Sequence, residues 1–423
     1  MRILVLGAGA REHALCVALV RDPAVSSVVC APGNAGTALI ADSMSCDLTD
    51  PLDCARAATT VAPDLVVVGP EGPLVAGVAD LLRQSGFAVF GPSAAAARLE
   101  GSKAFAKEVM TAAGIPTAAA SVHTTVDSAL RQLKASAPPY VVKFDGLAAG
   151  KGVTVTDDIE TARAAVRYSL RSPGGALVIE EFLDGPEVSL FGISDGETVL
   201  PLRPAQDFKR IGDGDAGPNT GGMGAYSPLP WLSQQAVDDI TRSVLEPAVR
   251  EMATRGTPFS GLLYAGLAMT SRGPRVIEFN TRFGDPETQV VLPALRTPLA
   301  GVLLAAATGA LKGVALAWTD QSAVTVVLAA PGYPGTVTTG APITGLAEAE
   351  AVAGAAVLHA GTALEAGTVV TAGGRVLAVV GTGSTLTEAR ATAYDAAGKI
   401  HFDGMQLRRD IALAAADDLL PHL

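Results

Sequence analysis

The sequence predicts a multidomain protein of the α/β and α+β classes, with a doubly wound parallel sheet first and a small α+β domain last. Three observations carry this. A chain of 423 residues, 49% hydrophobic and 17% charged, is too long for one ordinary core and too apolar to be disordered. Its first third alternates continuous apolar strands with helical stretches, the pattern of a parallel sheet covered on both faces. After Leu311-Lys312-Gly313 the composition shifts to short strands and one helix.

The first strand is Ile3-Leu4-Val5-Leu6, and Gly7-Ala8-Gly9-Ala10-Arg11-Glu12-His13 turns it into a helix running through Leu19. The string is close to a dinucleotide fingerprint, but Glu12 stands at its third glycine position. The second strand, Val25 to Ala31, ends in Pro32-Gly33-Asn34 with no acid placed for a ribose hydroxyl. A glycine-rich turn at a helix N-terminus still offers free backbone N–H groups to an anion. Gly9, Arg11 and Glu12, with Gly33 and Asn34, are therefore candidates for a pocket holding one phosphate; the plain alternative is a tight βα turn. Further strands at Asp64–Val68 and Ala88–Phe90, with a helical stretch Leu74–Ser85 between them, complete a doubly wound domain. Gly7, Gly33, Gly69 and Gly91 fall at strand carboxyl ends, where such folds bind ligands.

A helix is expected from Leu99 to Ala113, stopped by Gly114-Ile115-Pro116. The strand Tyr140-Val141-Val142-Lys143 follows, then Gly146, Gly150 and Gly152 around Lys151, and a strand resumes at Val153. No helix is fed and Gly152 follows Lys151, so this is not a P-loop. It suits a flap that closes over a triphosphate with backbone N–H groups and Lys151, while Lys143 places a charge on the α- or β-phosphate. Leu177 to Glu187 is an apolar strand ending in Glu180 and Glu181. With a nucleotide bound, the backbone of Phe182 and Leu183 would meet adenine and Glu187 the ribose hydroxyls; otherwise the acids are a solvated strand end.

Gly212 to Gly224 forms a long glycine-rich loop, expected to be irregular and to face substrate through Gly222, Met223 and Gly224. Just before it, Asp207 is a candidate for a substrate ammonium, and Lys209 or Arg210 for an anion. The strand Val276-Ile277-Glu278-Phe279-Asn280 presents Glu278 and Asn280 on one face, with Ile277 and Phe279 expected in a core. Two oxygen ligands at that spacing suit Mg²⁺ completed by phosphates and water, or else a solvated strand end. Arg282 follows as an anion clamp, and Gly284-Asp285-Pro286 turns the chain.

The C-terminal strands are expected at Ser322–Ala330, Ala356–Ala360, Thr368–Thr371 and Val376–Gly381, with a helix at Leu386–Gly398. The net charge of −11 and 4% aromatic content argue against nucleic acid as a partner. Cys16, Cys30, Cys46 and Cys54 have no CxxC spacing and suit small buried residues in a reducing compartment. With no signal segment and no bilayer-length apolar run, the expectation is a cytoplasmic protein without a membrane partner.

Lys103, Lys143 with its flap, Glu180-Glu181-Phe182-Leu183 and Glu278-x-Asn280, in this order, resemble the ATP-grasp superfamily. Within it, five strings resemble the glycinamide ribonucleotide synthetase family: Gly9–His13, Pro32–Thr37, Asp145–Gly152, Gly217–Tyr226 and Arg282–Glu287. Two departures are Ala10, where the family often has glycine, and Phe144, where a small residue is usual. The resemblance implies a central ATP-grasp domain, with domains at 1–101, 102–322 (its flap-bearing part about 117–187) and 323–423. It implies ATP-dependent ligation of glycine to 5-phosphoribosylamine through a glycyl phosphate, with Mg²⁺ or Mn²⁺ on Glu278 and Asn280. Lys103, Lys143 and the flap would position the triphosphate, and Arg282 would steady the acyl phosphate. A monomer or weak homodimer is expected. The alternatives are a bicarbonate-using carboxylase of the same superfamily, which the Arg282–Glu287 string opposes, an NAD-dependent oxidoreductase, and a non-catalytic nucleotide-binding module.

Overall fold

The computed structural model describes residues 1–147, 152–171, 174–420 and 423. Its first hundred residues form a parallel sheet in the order Asp42–Ser43, Ser27–Pro32, Arg2–Gly7, Leu65–Val68, Val89–Phe90. Leu65–Val68 is buried throughout, as a strand covered on both faces must be. The order reverses direction beside Arg2–Gly7, which makes the carboxyl ends of that strand and of Leu65–Val68 the topological switch point. The stretch expected as one helix over Leu74–Ser85 is two, Glu71–Val75 and Val78–Gln84, broken at Gly77.

The helix expected from Leu99 to Ala113 is also two, Ala94–Gly101 and Lys103–Ala112. The break is at Ser102, whose hydroxyl accepts from the Phe105 N–H at 3.1 Å. A serine cap starts a helix more strongly than residues 99–101 continue one. The break puts Lys103 on the first turn of the new helix.

Among the described residues the middle of the chain builds two antiparallel sheets. One is ordered Ala120–His123, Leu177–Glu180, Tyr140–Phe144, Val153–Thr156 and is backed by the helices Val126–Ala135 and Ile159–Ser169. The other is ordered Val199–Pro201, Glu187–Asp195, Ser260–Thr270, Gly273–Asn280.

The third large sheet is ordered Gln206–Asp207, Gly224–Ser227, Ser322–Ala329, Arg375–Gly383, Ala355–His359. The glycine-rich stretch is thus more regular than expected. Arg210–Gly212 pairs with Ala216–Asn219, and Gly224–Ser227 pairs antiparallel with Ser322–Ala329. Segments from either side of residue 323 share one sheet, so the C-terminal body is anchored beside Asp207. It also touches the N-terminal body, where the Asn34 amide donates to the Ala8 and His359 carbonyls at 2.9 and 2.8 Å. No helix among the described residues is long and apolar enough to cross a membrane. The four cysteines are free and buried, with the Cys46 and Cys54 sulfurs 3.7 Å apart.

Candidate active site

A cavity of about 1040 Å³ lies between the two middle sheets and reaches the N- and C-terminal bodies. Lys103, Lys143, Gly146, Gly152, Glu180, Glu181, Phe182, Leu183, Glu187, Asp207, Lys209, Glu278, Asn280, Arg282 and Arg11 all line it. Gly150 and Lys151 lie outside the described residues.

At one end stands a buried lysine–glutamate knot. Glu180 closes its strand with its Oε2 2.9 Å from Lys143 Nζ and its Oε1 3.3 Å from Lys107 Nζ. Burial and the neighbouring Lys143 charge hold the Lys107 ammonium below its usual range, against the pull of Glu180. Glu180 is thus not a solvated strand end: its side chain holds two cations in place. Lys103 Nζ donates to the Gly146 carbonyl at 3.1 Å, and the Asp145 carboxylate accepts from Ala104 N–H and Ser102 Oγ, both at 3.2 Å. The base of the glycine-rich loop is thus tied to the helix that carries Lys103. Phe182 is 47% exposed and lines the cavity, an apolar face available to a planar base.

The strand of Glu278 and Asn280 carries a β-bulge. Gly266 pairs with Glu278 while Leu267 pairs with Val276, so Ile277 has no partner. Val276 and Phe279 are buried, whereas Ile277 lines the cavity instead of the core, against the alternation expected from sequence. The bulge turns the Ile277 carbonyl toward Lys143 Nζ, which donates to it at 2.9 Å. Glu278 and Asn280 still face the same cavity. Burial pushes the Glu278 carboxyl up, but Lys209, Lys143, Lys103 and Arg282 outweigh it and hold it below its usual range. Among the described residues no group of three or more His, Cys, Asp or Glu could by itself hold a metal. A carboxylate and an amide oxygen amid four cations fit a hard divalent ion that brings phosphate and water oxygens with it.

Arg282 is fully engaged. Its Nε lies 3.2 Å from Glu71 and one terminal nitrogen 3.1 Å from Glu100, while donors also reach Asn280 Oδ1 and the Phe283 carbonyl at 3.3 Å. Glu100 in turn accepts from the Thr281 N–H and hydroxyl at 2.7 and 3.1 Å. Beside it is an acid cluster. Lys209 Nζ lies 2.6 Å from Glu187 and 3.9 Å from Asp207. Burial raises Asp207 to about 7; Lys209 opposes that shift, and Glu287, Glu187 and Glu278 add to it. Glu287 is buried and accepts from Tyr264 Oη at 2.7 Å. Glu187, expected at a ribose, is thus held by Lys209 in this structure.

Of the residues expected at a phosphate pocket in the N-terminal body, Arg11 lines the cavity, whereas Gly9, Glu12, Gly33 and Asn34 do not. Glu12 caps its own helix: its Oε2 accepts from the Gly9 N–H at 2.6 Å and its Oε1 from Arg11 Nε at 2.5 Å. A Cβ on Gly7 or Gly69 would stand 2.3 or 2.0 Å from Glu12, so both glycines are required by this carboxylate. The switch point, where a dinucleotide pyrophosphate would sit, is filled by the protein's own anion. Gly33 and Asn34 form a turn whose amide is consumed by Gly36, Thr37, Ala8 and His359. Gly222, Met223 and Gly224 do not line the cavity. Met223 is wholly buried with Val327 and Ala329, and Gly224 begins a sheet strand.

Four functional side chains were missed. Glu71 and Glu100 hold Arg282, Lys107 completes the knot, and Arg375 reaches in from the C-terminal body to Asp285 at 2.9 Å. The only signal for Glu71 was its place in Gly69-Pro70-Glu71, past the end of an apolar strand. Arg375 opens such a strand and had none.

Family models for phosphoribosylglycinamide synthetase match the chain in three parts: the N domain over residues 1–100, the ATP-grasp (A) domain over 101–288 and the C domain over 323–414. A protein of Streptomyces coelicolor named phosphoribosylamine–glycine ligase is 61% identical over 98% of this chain and 100% of its own length. The crystal structure of phosphoribosylamine–glycine ligase from Thermotoga maritima superposes with a TM-score of 0.84 at 34% identity, covering 97% of this chain and 100% of that one. Biotin carboxylase from Campylobacter jejuni shares the fold alone, with a TM-score of 0.71 at 16% identity over 96% of this chain and 92% of its own. The chain belongs to the phosphoribosylglycinamide synthetase family.

Proposed function

We propose that the cavity joins glycine to 5-phosphoribosylamine at the expense of ATP, giving glycinamide ribonucleotide, ADP and phosphate. The observation that carries this is the gathering of Lys103, Lys143, Glu278, Asn280 and Arg282 on one cavity wall, within a chain alike along its whole length to phosphoribosylamine–glycine ligases. Lys103 and Lys143, fixed by the Gly146 and Ile277 carbonyls, position the triphosphate. Glu278 and Asn280 hold Mg²⁺ or Mn²⁺, whose charge, when bound, offsets that of the phosphates. Phe182 and the backbone to Leu183 take adenine, and Glu187 exchanges Lys209 for the ribose hydroxyls.

The glycine carboxylate oxygen attacks the γ-phosphorus and ADP leaves, giving glycyl phosphate. Arg282 steadies this anion by giving up donors now spent on Asn280 and Glu71. The acceptor amine then attacks the acyl carbon and phosphate departs. Asp207, raised to about 7, accepts the proton that the amine releases. Gly146 to Gly152, with Lys151, closes over the phosphates and keeps water from the acyl phosphate. We further propose a cytoplasmic enzyme, a monomer or weak homodimer, with domains at 1–101, 102–322 and 323–423. The test is ADP release with all three substrates present. ADP formed at the same rate without glycine and phosphoribosylamine would overturn the assignment.

A further inference from the structure

The C-terminal body reaches the cavity through Arg375. One of its terminal nitrogens donates to the Gly221 and Asp285 carbonyls at 2.5 and 2.7 Å, and the other to Asp285 Oδ2 at 2.9 Å. The Gly221–Gly222 turn leans on the same group. A Cβ on Gly221 would stand 3.1 Å from the Arg375 guanidinium carbon, and one on Gly222, at φ +108°, would stand 2.4 Å from Pro286 Cδ. The turn, the Asp285–Pro286 bend and Arg375 are thus one interlocked unit.

That unit abuts the N-terminal body. A Cβ on Gly9 would lie 3.5 Å from Asp285 Oδ2, and Arg11 Nη1 donates to the Phe283 carbonyl at 3.2 Å. Gln289 Nε2 holds the other Asp285 oxygen at 2.7 Å. Burial pushes the Asp285 carboxyl up, but Arg375, Arg11 and Arg282 outweigh it and keep it ionised. Among the described residues the side-chain hydrogen bonds of Arg375 reach Gly221, Gly222 and Asp285, none of them on the sheet that carries Lys143. Arg11, Gly221, Asp285 and Arg375 all line the cavity.

We propose that Arg375 is a positioning residue for the acceptor half of the reaction: it fixes Asp285 and the Gly221–Gly222 turn against the Gly9 turn, and so shapes the corner where the amino-sugar phosphate sits. This rests on the ligase reading above. A corner where the ionised Asp285 carboxylate stands among Arg375, Arg11 and Arg282 suits a molecule with an amine and a phosphate. The nucleotide end is built from other segments and does not depend on it.

The experiment compares R375A and R375K with the unaltered chain, measuring KM for ATP, glycine and phosphoribosylamine separately, with thermal midpoints alongside. R375A is expected to raise KM for phosphoribosylamine at least tenfold and leave KM for ATP within twofold. R375K keeps the charge but cannot span the Gly221 carbonyl and the carbonyl and Oδ2 of Asp285, so it recovers part of the loss; it carries the test alone if R375A does not fold. Equal rises in all three KM values, or no change in any, would overturn the inference. An unaltered chain that releases no ADP with all three substrates would instead overturn the ligase reading.

Discussion

Replacing Glu180 by glutamine removes one negative charge from between two buried ammonium groups while keeping the side chain's shape. The side chains of Lys143, Lys107 and Glu180 are 4%, 10% and 3% exposed, and the contacts are 2.9 and 3.3 Å. At an effective dielectric of about 20 each contact amounts to roughly 5–6 kcal/mol before desolvation is counted. The net cost of removing one partner from a buried pair is about 3–5 kcal/mol. A second route bounds it: a stranded lysine can shed its proton, which at about pH 7.5 costs about 4 kcal/mol from an ordinary pKa near 10.4. E180Q should therefore lower the thermal midpoint by about 10 °C. Two signatures separate this from a packing defect. The gap should narrow as pH rises from about 7.5 toward 10, because the cost of shedding the proton, set by the ordinary pKa near 10.4 in the unfolded chain, falls toward zero. Saturating ATP should raise the midpoint more in E180Q than in the unaltered chain, because the triphosphate supplies the missing anion. A midpoint within 2 °C of the unaltered chain, or equal gains from ATP, would refute the reasoning.

Glu278→Gln should cut turnover at least about a hundredfold with little change in melting, since it weakens a phosphate-linked metal site at a strand end; a titration of activity with Mg²⁺ that superposes on that of the unaltered chain would contradict it. Asp207 is raised to about 7 in the folded chain, so the native state holds a proton that the unfolded state has lost, and stability falls as pH rises from about 4 to 7. D207N should flatten the thermal midpoint over that window relative to the unaltered chain. His13 has the opposite sign: burial, then the His359 charge, lowers it to about 3, and its Nδ1 accepts from the His359 N–H at 2.9 Å. Its contribution is present above about pH 6.5 and lost as pH falls toward 3, so H13N should reduce the acid-side slope of the midpoint. Gly69→Ala puts a methyl 2.0 Å from the Glu12 carboxylate and should cost about 1–3 kcal/mol, measured by urea titration.

Four of the five strands of the N-terminal sheet were legible because they are apolar runs closely followed by glycine; the two-residue edge strand Asp42–Ser43 has no such pattern and was not expected. The cavity was legible where chemistry depends on spacing along one strand: Lys143, Glu278 and Asn280 lie where their neighbours place them. Sequence failed where partners are distant. Lys143 is held by Ile277 and Glu180, Arg282 by Glu71, and Asp285 by Arg375, across 134, 211 and 90 residues for the Ile277, Glu71 and Arg375 contacts. Local reading also misjudged Ile277. A period of two assigns it to the core, and only the pairing register with Gly266 and Leu267 reveals the bulge.

That bulge links the two middle sheets. Without it the Ile277 carbonyl would be spent on the strand ladder, and Lys143, on the other sheet, would lose a fixed acceptor. With it, a lysine of one sheet is referenced to the strand that carries Glu278 and Asn280. On the proposed reading, Lys143 would hold a phosphate, and Glu278 and Asn280 a metal, from the same stretch of backbone. Closure of the flap-bearing sheet as a rigid piece would pull Lys143 away from that reference. The described contacts therefore favour Lys143 staying in place. Amide exchange should bear this out: the Lys143 amide, opposite Val178 across the sheet, and the Phe144 amide, bonded to the Gly152 carbonyl, should be equally protected with and without ATP. Lys143 and Phe144 amides that gain protection only when ATP is bound would show the whole sheet moving and would remove Lys143 from its role as a fixed point.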